Sequence, residues 1–561
     1  MNDPTPPQNP LRALLSAAAE EWRSTPFYRI GLRGADPLSV ALISEDPRPG
    51  DPVLGADLLR GMWRLGAERL SGLHPVPWSE PAPSPYFSAR LHAFGWLRDL
   101  AQAPGATEAV VRLIDTWVEG FGRWHASAWA PELTAERLLA WLCHGGPALS
   151  RGPASSTALQ SLGRQARHLM FAAKDIREPS ARITAGAALV AASAAGLPEA
   201  DPLRDQGEEM LLEAEASQIL SDGGHQSRSP ETLLNALCEM IIAETALTRA
   251  NNAPSRNLRV AIGRMANMLR FLSLGDGALA CFQGGGEGGA AAVAGALAAA
   301  GGEARGFDYA NQSGYQRLRS GDLTLLMDVA RRPPPSAFAG RAHAGALAIE
   351  FSCGKDRVFV NVGAGRELDP EWRAAARGTA AHSTLILADS LSSPFSQPRR
   401  GRGAAYPTGP NIYATRSQDD TGTWVIGHHD GYREAFNLTA TRIIFMDREG
   451  RKIIGHDQLG RPLDQKAGRG SRLIPFAVRF HLHPTCRAEP AESRTVLIET
   501  TNGARWRFHC DADCRLEESI YLGGSLKPQR TQQIVLSGAA LISGDEREKT
   551  NRVRWSMARM D

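Results

Sequence analysis

The chain is poor in cysteine: seven in 561 residues, at positions 143, 238, 281, 353, 486, 510 and 514. So sparse and odd a set excludes a disulfide framework and suits a reducing compartment. Charge of one sign is also lacking. With 63 basic and 60 acidic residues the formal charge is +3, which leaves no bulk electrostatic case for nucleic acid. No apolar run is long enough to span a bilayer, and the Ala/Gly tract near residue 290 is too weakly hydrophobic. The opening "MNDPTPPQNPLRALLSAAAEEW" carries acids and prolines where a signal peptide needs basic residues and an apolar core. The expectation is a cytoplasmic protein with neither nucleic acid nor membrane as partner. There is no G-x-S-x-G elbow and no P-loop.

What is present is ordinary for a globular protein of two or more domains: 43% apolar and 22% charged residues. The first half has helical periodicity. Val110, Leu113, Ile114, Trp117 and Phe121 fall on one helical face, as do Leu258, Ile262, Met265, Leu269 and Leu272. "SPETLLNALCEMIIAETAL" offers Ser229 as N-cap and Pro230 at the first helical position. The second half changes period. "FAVRFHLH" alternates Phe476, Val478, Phe480 and Leu482 against Ala477, Arg479, His481 and His483. "LTLLMDV", "RVFVNVG", "TRIIFMD", "TVLIET" and "RWRFHC" are further short strands with no helices between them. Such a series points to an antiparallel β-sandwich. The switch falls near residue 310, giving residues 1–310 to helices, with an N-terminal extension, and 311–561 to strands.

Several motifs invite other readings. "GGGEGG" (Gly284 to Gly289) satisfies G-x-G-x-x-G, but a dinucleotide site needs a parallel βαβ context. A glycine loop at a domain junction fits better. "HCDADC" (His509 to Cys514) lacks C-x-x-C spacing and reads as a strand end with a polar turn. His481 and His483 share a strand face, as metal ligands or as ordinary hydrogen-bonding residues. "ARRPPP" (Ala330 to Pro335) and "PRRGRG" (Pro398 to Gly403) are local basic patches: solvated loops, or contacts for an acidic substrate.

An ordered set of stretches resembles the heparinase II/III-like family of polysaccharide lyases. They are "SDGGHQSRSPETLLNAL", "RAHAGALAIEFSCGKDRVFVNVG", "TAAHSTLIL", "HHDGYREAFNLTATRIIF" and "EESIYLG". The resemblance covers the chain from about residue 85 to its end. It implies an α+β multidomain fold, an (α/α) toroid followed by an antiparallel β-sandwich, with a cleft between them. It also implies β-elimination on uronate-containing glycans. That chemistry needs a group to neutralise the carboxylate, a base for the carbon-bound proton and an acid for the leaving oxygen.

Carried over residue by residue, the resemblance makes His225 a catalytic candidate. It makes His343 and His382 ligands of a structural zinc, whose third ligand, an aspartate in relatives, is here Asn361. No tyrosine lies in "GDGALACFQGGG"; the nearest are Tyr309 and Tyr315 in "FDYANQSGYQRL", and Tyr315 is the catalytic candidate. Arg228 and Arg341 are the candidates for binding a substrate carboxylate. His382 lies among the small residues Ala380, Ala381 and Ser383, which allows it to approach His343, to share a metal or to brace the sandwich. Three functions compete: a lyase on acidic poly- or oligosaccharides, a non-catalytic relative that binds acidic glycan, and a glycan hydrolase on the same scaffold. The last needs paired carboxylates across the cleft.

Overall fold

Helix-forming and strand-forming stretches are segregated along the chain, and a computed structural model shows what each builds. It describes residues 18–41, 43–302, 305–331, 337–365, 368, 370–395, 409–461, 473–492, 494–524, 527–541 and 551–560. Helices continue to Ala290–Ala300, and the first strand of the second half is Tyr309–Ala310. Before it, among the described residues, the only strands are the short pair Arg64–Leu65 and Glu68–Arg69.

The helical half is built around Pro179–Ala194, whose residues from Ile183 to Ala194 are all buried. It packs against Pro131–His144, Ala200–Gln218 and Pro230–Arg249. Small side chains let these backbones touch: a Cβ on Gly207 would lie 2.8 Å from the Gly186 carbonyl oxygen. The amphipathic helices follow their periodicity. Thr107–Phe121 buries Val110, Leu113, Ile114 and Trp117, and Arg256–Leu272 buries all five residues of its predicted stripe. Ser229 caps Pro230–Arg249 by accepting from the Thr232 amide at 3.4 Å. Fully buried aromatic and aliphatic side chains supply most of the stabilisation of such packing, roughly 1.5–3 kcal/mol for each large one.

The second half is two antiparallel sheets. One runs, edge to edge, Arg487–Pro490, Thr495–Glu499, Arg505–Cys510, Arg552–Met560, Lys452–Gly460, Thr439–Asp447, Gly422–His429 and Ile412–Gln418. The other runs Asp513–Tyr521, Gln529–Leu541, Leu473–Leu482, Asp356–Val360, Ile349–Cys353, Leu323–Asp328, Tyr315–Ser320 and Tyr309–Ala310, with Leu385–Leu387 paired beside Leu473–Leu482. Between them Phe359, Phe480, Phe508 and Trp555 form the aromatic centre. The chain therefore has the toroid-plus-sandwich architecture.

The second sheet is covered on both faces. Leu323–Asp328 is buried at every position, and Tyr315, Leu326 and Ala348 belong to the hydrophobic core of the helical half. Where cover is double, alternation stops reporting exposure. His481, on the polar face of "FAVRFHLH", is buried, with its ring nitrogens 2.8 Å from Ser519 Oγ and 2.9 Å from the Ala380 carbonyl.

Candidate functional site at the junction of toroid and sandwich

The predicted site residues come from two sides of one junction. On the helical side, residues 218–226 turn back on themselves between Ala200–Gln218 and Pro230–Arg249. Gln226 N donates to the Gln218 carbonyl at 2.8 Å and Leu220 N to the Gly224 carbonyl at 2.7 Å. Asp222 fastens this turn to the sandwich by accepting from the Gln312 and Ser313 amides and from Ser313 Oγ.

His225 lies inside the turn, 1% exposed. The Ser227 amide donates to Nδ1 at 3.0 Å, so Nδ1 carries the lone pair and Nε2 carries the proton. Nε2 then donates to Gln218 Oε1 at 3.2 Å. Phe338 meets the ring edge-on. Burial, with the nearby Arg341 charge, holds the imidazole down at about 3. His225 is a neutral ring with both nitrogens occupied.

Arg228 has φ +61, a left-handed backbone that non-glycine residues adopt rarely. Its side chain is equally committed. Nη2 pairs with Asp328 Oδ1, Nε donates to the Ser313 carbonyl at 2.9 Å, and the guanidinium lies 5.1 Å from the Tyr315 ring centroid. Tyr315 is fully buried, and its hydroxyl donates to the Arg228 carbonyl at 2.7 Å. Burial pushes that phenol well above its ordinary range. In this arrangement Arg228 and Tyr315 support each other across the junction.

Asp328 is the hub, and the sequence reading missed it. Besides Arg228 it accepts from Gln283 Nε2 at 2.9 Å and from the Ala330 amide. Gln283 Oε1 in turn accepts from the His343 amide at 3.1 Å. One network thus joins the helical loop, the glycine loop and the sandwich. A single acid closing the apolar run "LTLLMD" was the available signal, because a charge at the end of a buried strand requires partners.

His343 and His382 meet: His343 Nδ1 and His382 Nε2 are 3.2 Å apart. His382 Nδ1 donates to the Gly378 carbonyl at 2.8 Å, and burial holds this ring neutral, at about 4. Its Nε2 is therefore an acceptor, and His343 Nδ1 is the donor. In neutral His343 the lone pair is then on Nε2, beside Gly284, where a Cβ would lie 3.4 Å away. The small residues around His382 allow this meeting; a Cβ on Gly345 would lie 2.7 Å from its ring.

Asn361 sits beneath the pair but faces elsewhere. Its Oδ1 accepts from the Ser383 amide at 3.0 Å, and its Nδ2 donates to the Cys281 carbonyl and to Glu350. The two imidazole nitrogens are at a spacing that two ligands of one ion can share, whereas the Asn361 oxygen, the third candidate ligand, is turned to the Ser383 amide. Among the described residues no three His, Cys, Asp or Glu side chains are grouped as metal ligands.

Arg341 is open to solvent, with 52% of its side chain exposed and Glu178 3.9 Å away. Arg331, ten residues earlier, is also exposed. The rest of "ARRPPP", from Arg332, and all of "PRRGRG" lie outside the described residues. The "GGGEGG" loop is wedged between the halves. Added Cβ atoms would meet the Arg341 carbonyl at Gly284, Ser229 Oγ at Gly285 and the Gly523 carbonyl at Gly286, each within 2.6 to 2.9 Å. Its glycines serve close approach at a junction. The loop also presents Glu287 to the Tyr521 hydroxyl at 2.6 Å.

The family model for the C-terminal domain of heparinase II/III-like proteins matches residues 302–556. FtsZ-localized protein C of Caulobacter vibrioides (strain NA1000 / CB15N) is 33% identical over 559 residues, which is 96% of this chain and 94% of that one. The chain belongs to the heparinase II/III-like family. Among solved structures, heparinase III aligns with a TM-score of 0.66 at 14% identity, covering 97% of this chain and 89% of that one. Heparan sulfate lyase HepC from Pedobacter heparinus aligns at 0.59 and 15%, covering 97% and 88%. At such identities the likeness is one of fold. No helix among the described residues is long and apolar enough to cross a membrane.

Proposed function

We propose that this heparinase II/III-like protein binds an acidic, uronate-containing glycan at the junction of its two halves, as a non-catalytic relative of the lyases. The observation that carries this reading is the internal commitment of the two predicted catalytic side chains. Both nitrogens of His225 are hydrogen-bonded within its own loop, and the Tyr315 hydroxyl is bonded to the Arg228 carbonyl. A base must hold its lone pair towards the proton it removes. Arg341 is an exposed cation at the site, and its planar fork suits a carboxylate. Arg228, already paired with Asp328, contributes by shaping the loop. His343 and His382 form a hydrogen-bonded brace in this reading, and metal analysis of protein prepared without chelator should find less than one equivalent of zinc.

One observation favours cleavage as a second reading. The lone pair of neutral His343 is on Nε2, beside the glycine loop, with His382 ready to fix its other nitrogen. In that case His343 takes the carbon-bound proton, Arg341 neutralises the carboxylate, the neighbouring carbon–oxygen bond breaks, and the His343 imidazolium returns the proton to the leaving oxygen. A panel of uronate polymers and oligomers separates the readings. Salt-sensitive binding without an unsaturated product, weakened in Arg341→Ala, is the expected result. Ultraviolet absorbance of a conjugated uronate, lost in His343→Ala, establishes the lyase instead. Binding indifferent to both salt and Arg341 rejects both.

A further inference from the structure

The helical half packs on the sheet that contains Tyr315, Leu326 and Ala348, and the other sheet turns its outer face away from the sandwich core. On its strand Arg552–Met560, Val553, Trp555 and Met557 point into that core, so Arg552, Arg554, Ser556 and Ala558 lie on the outer face. The register sets Lys452 and Arg507 on either side of Ala558, and Ile454 and His509 on either side of Ser556. The two small residues thus floor a shallow channel between larger side chains. Lys452 and Arg507 stand about 10 Å apart across it, and Arg554 is about 13 Å further along the strand.

The cations of the channel have no acidic partner. Lys452, Arg507 and Arg554 are exposed, and among the described residues neither they nor Arg552 form an ion pair. Arginines at the margins are paired: Arg487 with Glu489, Arg515 with Asp513 and Arg559 with Asp322. The acids of this face stand at its borders, Glu499 opposite Arg505 and Asp511 on the Arg554 amide. Groups that both donate and accept lie between the cations: Ser556, and His509, whose Nδ1 is 3.1 Å from Thr495 Oγ1. The row through Ser556 continues by Ile454 to Phe445 and Trp424, whose ring centroids are 4.4 Å apart on the same face.

A ligand that matches this face is extended and carries anions, hydroxyls and apolar ring faces together. A uronate glycan has all three; an acidic peptide has only the first. We propose that the face is a second docking surface for an acidic, uronate-containing glycan, which lies along Arg552–Met560 with its carboxylates on Lys452, Arg507 and Arg554. The ligand class rests on the reading of the junction, but no junction residue takes part.

The test is calorimetric titration of the intact protein with polygalacturonate, hyaluronan and heparan sulfate, and with polyglutamate as a polyanion without sugar rings. Arg507→Ser combined with Arg554→Ser should weaken binding of the uronate polymer about tenfold or more, in the wild type and in Arg341→Ala alike. Arg487→Ser combined with Arg515→Ser removes the same charge and should leave binding unchanged. Equal losses in the two double variants reduce the effect to net charge and overturn the proposal, as does polyglutamate binding as tightly as the best uronate polymer. A loss confined to Arg341→Ala rejects this surface and leaves the junction reading standing, and a loss confined to the channel variant does the reverse. Absence of binding to every uronate polymer rejects both.

Discussion

His225 lies in a loop that closes on itself, whereas His343 lies in a turn that reaches across to another segment. The two belong to the same junction and were equally conspicuous in the sequence. In the first, the backbone of Ser227 and the side chain of Gln218 occupy both ring nitrogens. In the second, His382 fixes one nitrogen and orients the other towards the glycine loop. Chemical use of a histidine depends on where its lone pair points, and a local loop readily consumes it. The two sides are joined through Asp328.

The largest effect should come from removing that joint. Asp328→Ala leaves the Arg228 charge buried without its partner and frees Gln283, a loss of about 3–5 kcal/mol. Urea unfolding measures it; a cost below about 1 kcal/mol means the two sides are independent.

Next come opposite responses to pH. On the sandwich side, Glu350 is fully buried under Asn361, with the Asn361 and Cys281 amides and Arg357 around it, and burial raises its carboxyl to about 7. A raised folded-state value means the stabilisation is complete below the unfolded value and lost as pH rises through about 7. Glu350→Gln should remove a loss on the order of 3 kcal/mol between acid and pH 8. On the loop side the sign reverses. His225, held at about 3, stays neutral when folded while the unfolded chain takes up a proton below its ordinary value. Its stabilisation is present at neutral pH and is lost as pH falls. His225→Asn should shrink the fall in unfolding free energy from neutral pH to about pH 4.5 by roughly 2 kcal/mol. Parallel pH profiles for wild type and variant break this side of the comparison.

The smallest stability effect belongs to His343. His343→Ala loses the hydrogen bond to His382, about 1 kcal/mol, and, because the ring lies beside the glycine loop, should reduce glycan binding. His225→Ala, corrected for its folded fraction, should bind as the wild type does. Calorimetric titration with a uronate oligomer measures both, and equal losses remove the distinction between the two histidines.

The order of elements was legible because helical and alternating periods are set by the backbone, and each half buries its apolar face where its period places it. Ser229 as a cap and the glycine loop as a junction were legible for the same reason: both are local requirements. The polar network was not. Asp328, Gln283, Glu350 and Tyr521 are far apart in the chain, and their partners exist only once the sheet lies against the toroid.

The sequence by itself determined a helical half followed by a sandwich, and the histidines and arginines available at the junction. Only the tertiary structure decided their states: which imidazole nitrogen keeps its proton, which arginine is paired inside and which is left to solvent. Periodicity is a property of neighbouring residues. Protonation and pairing depend on burial and on groups that folding brings from other parts of the chain.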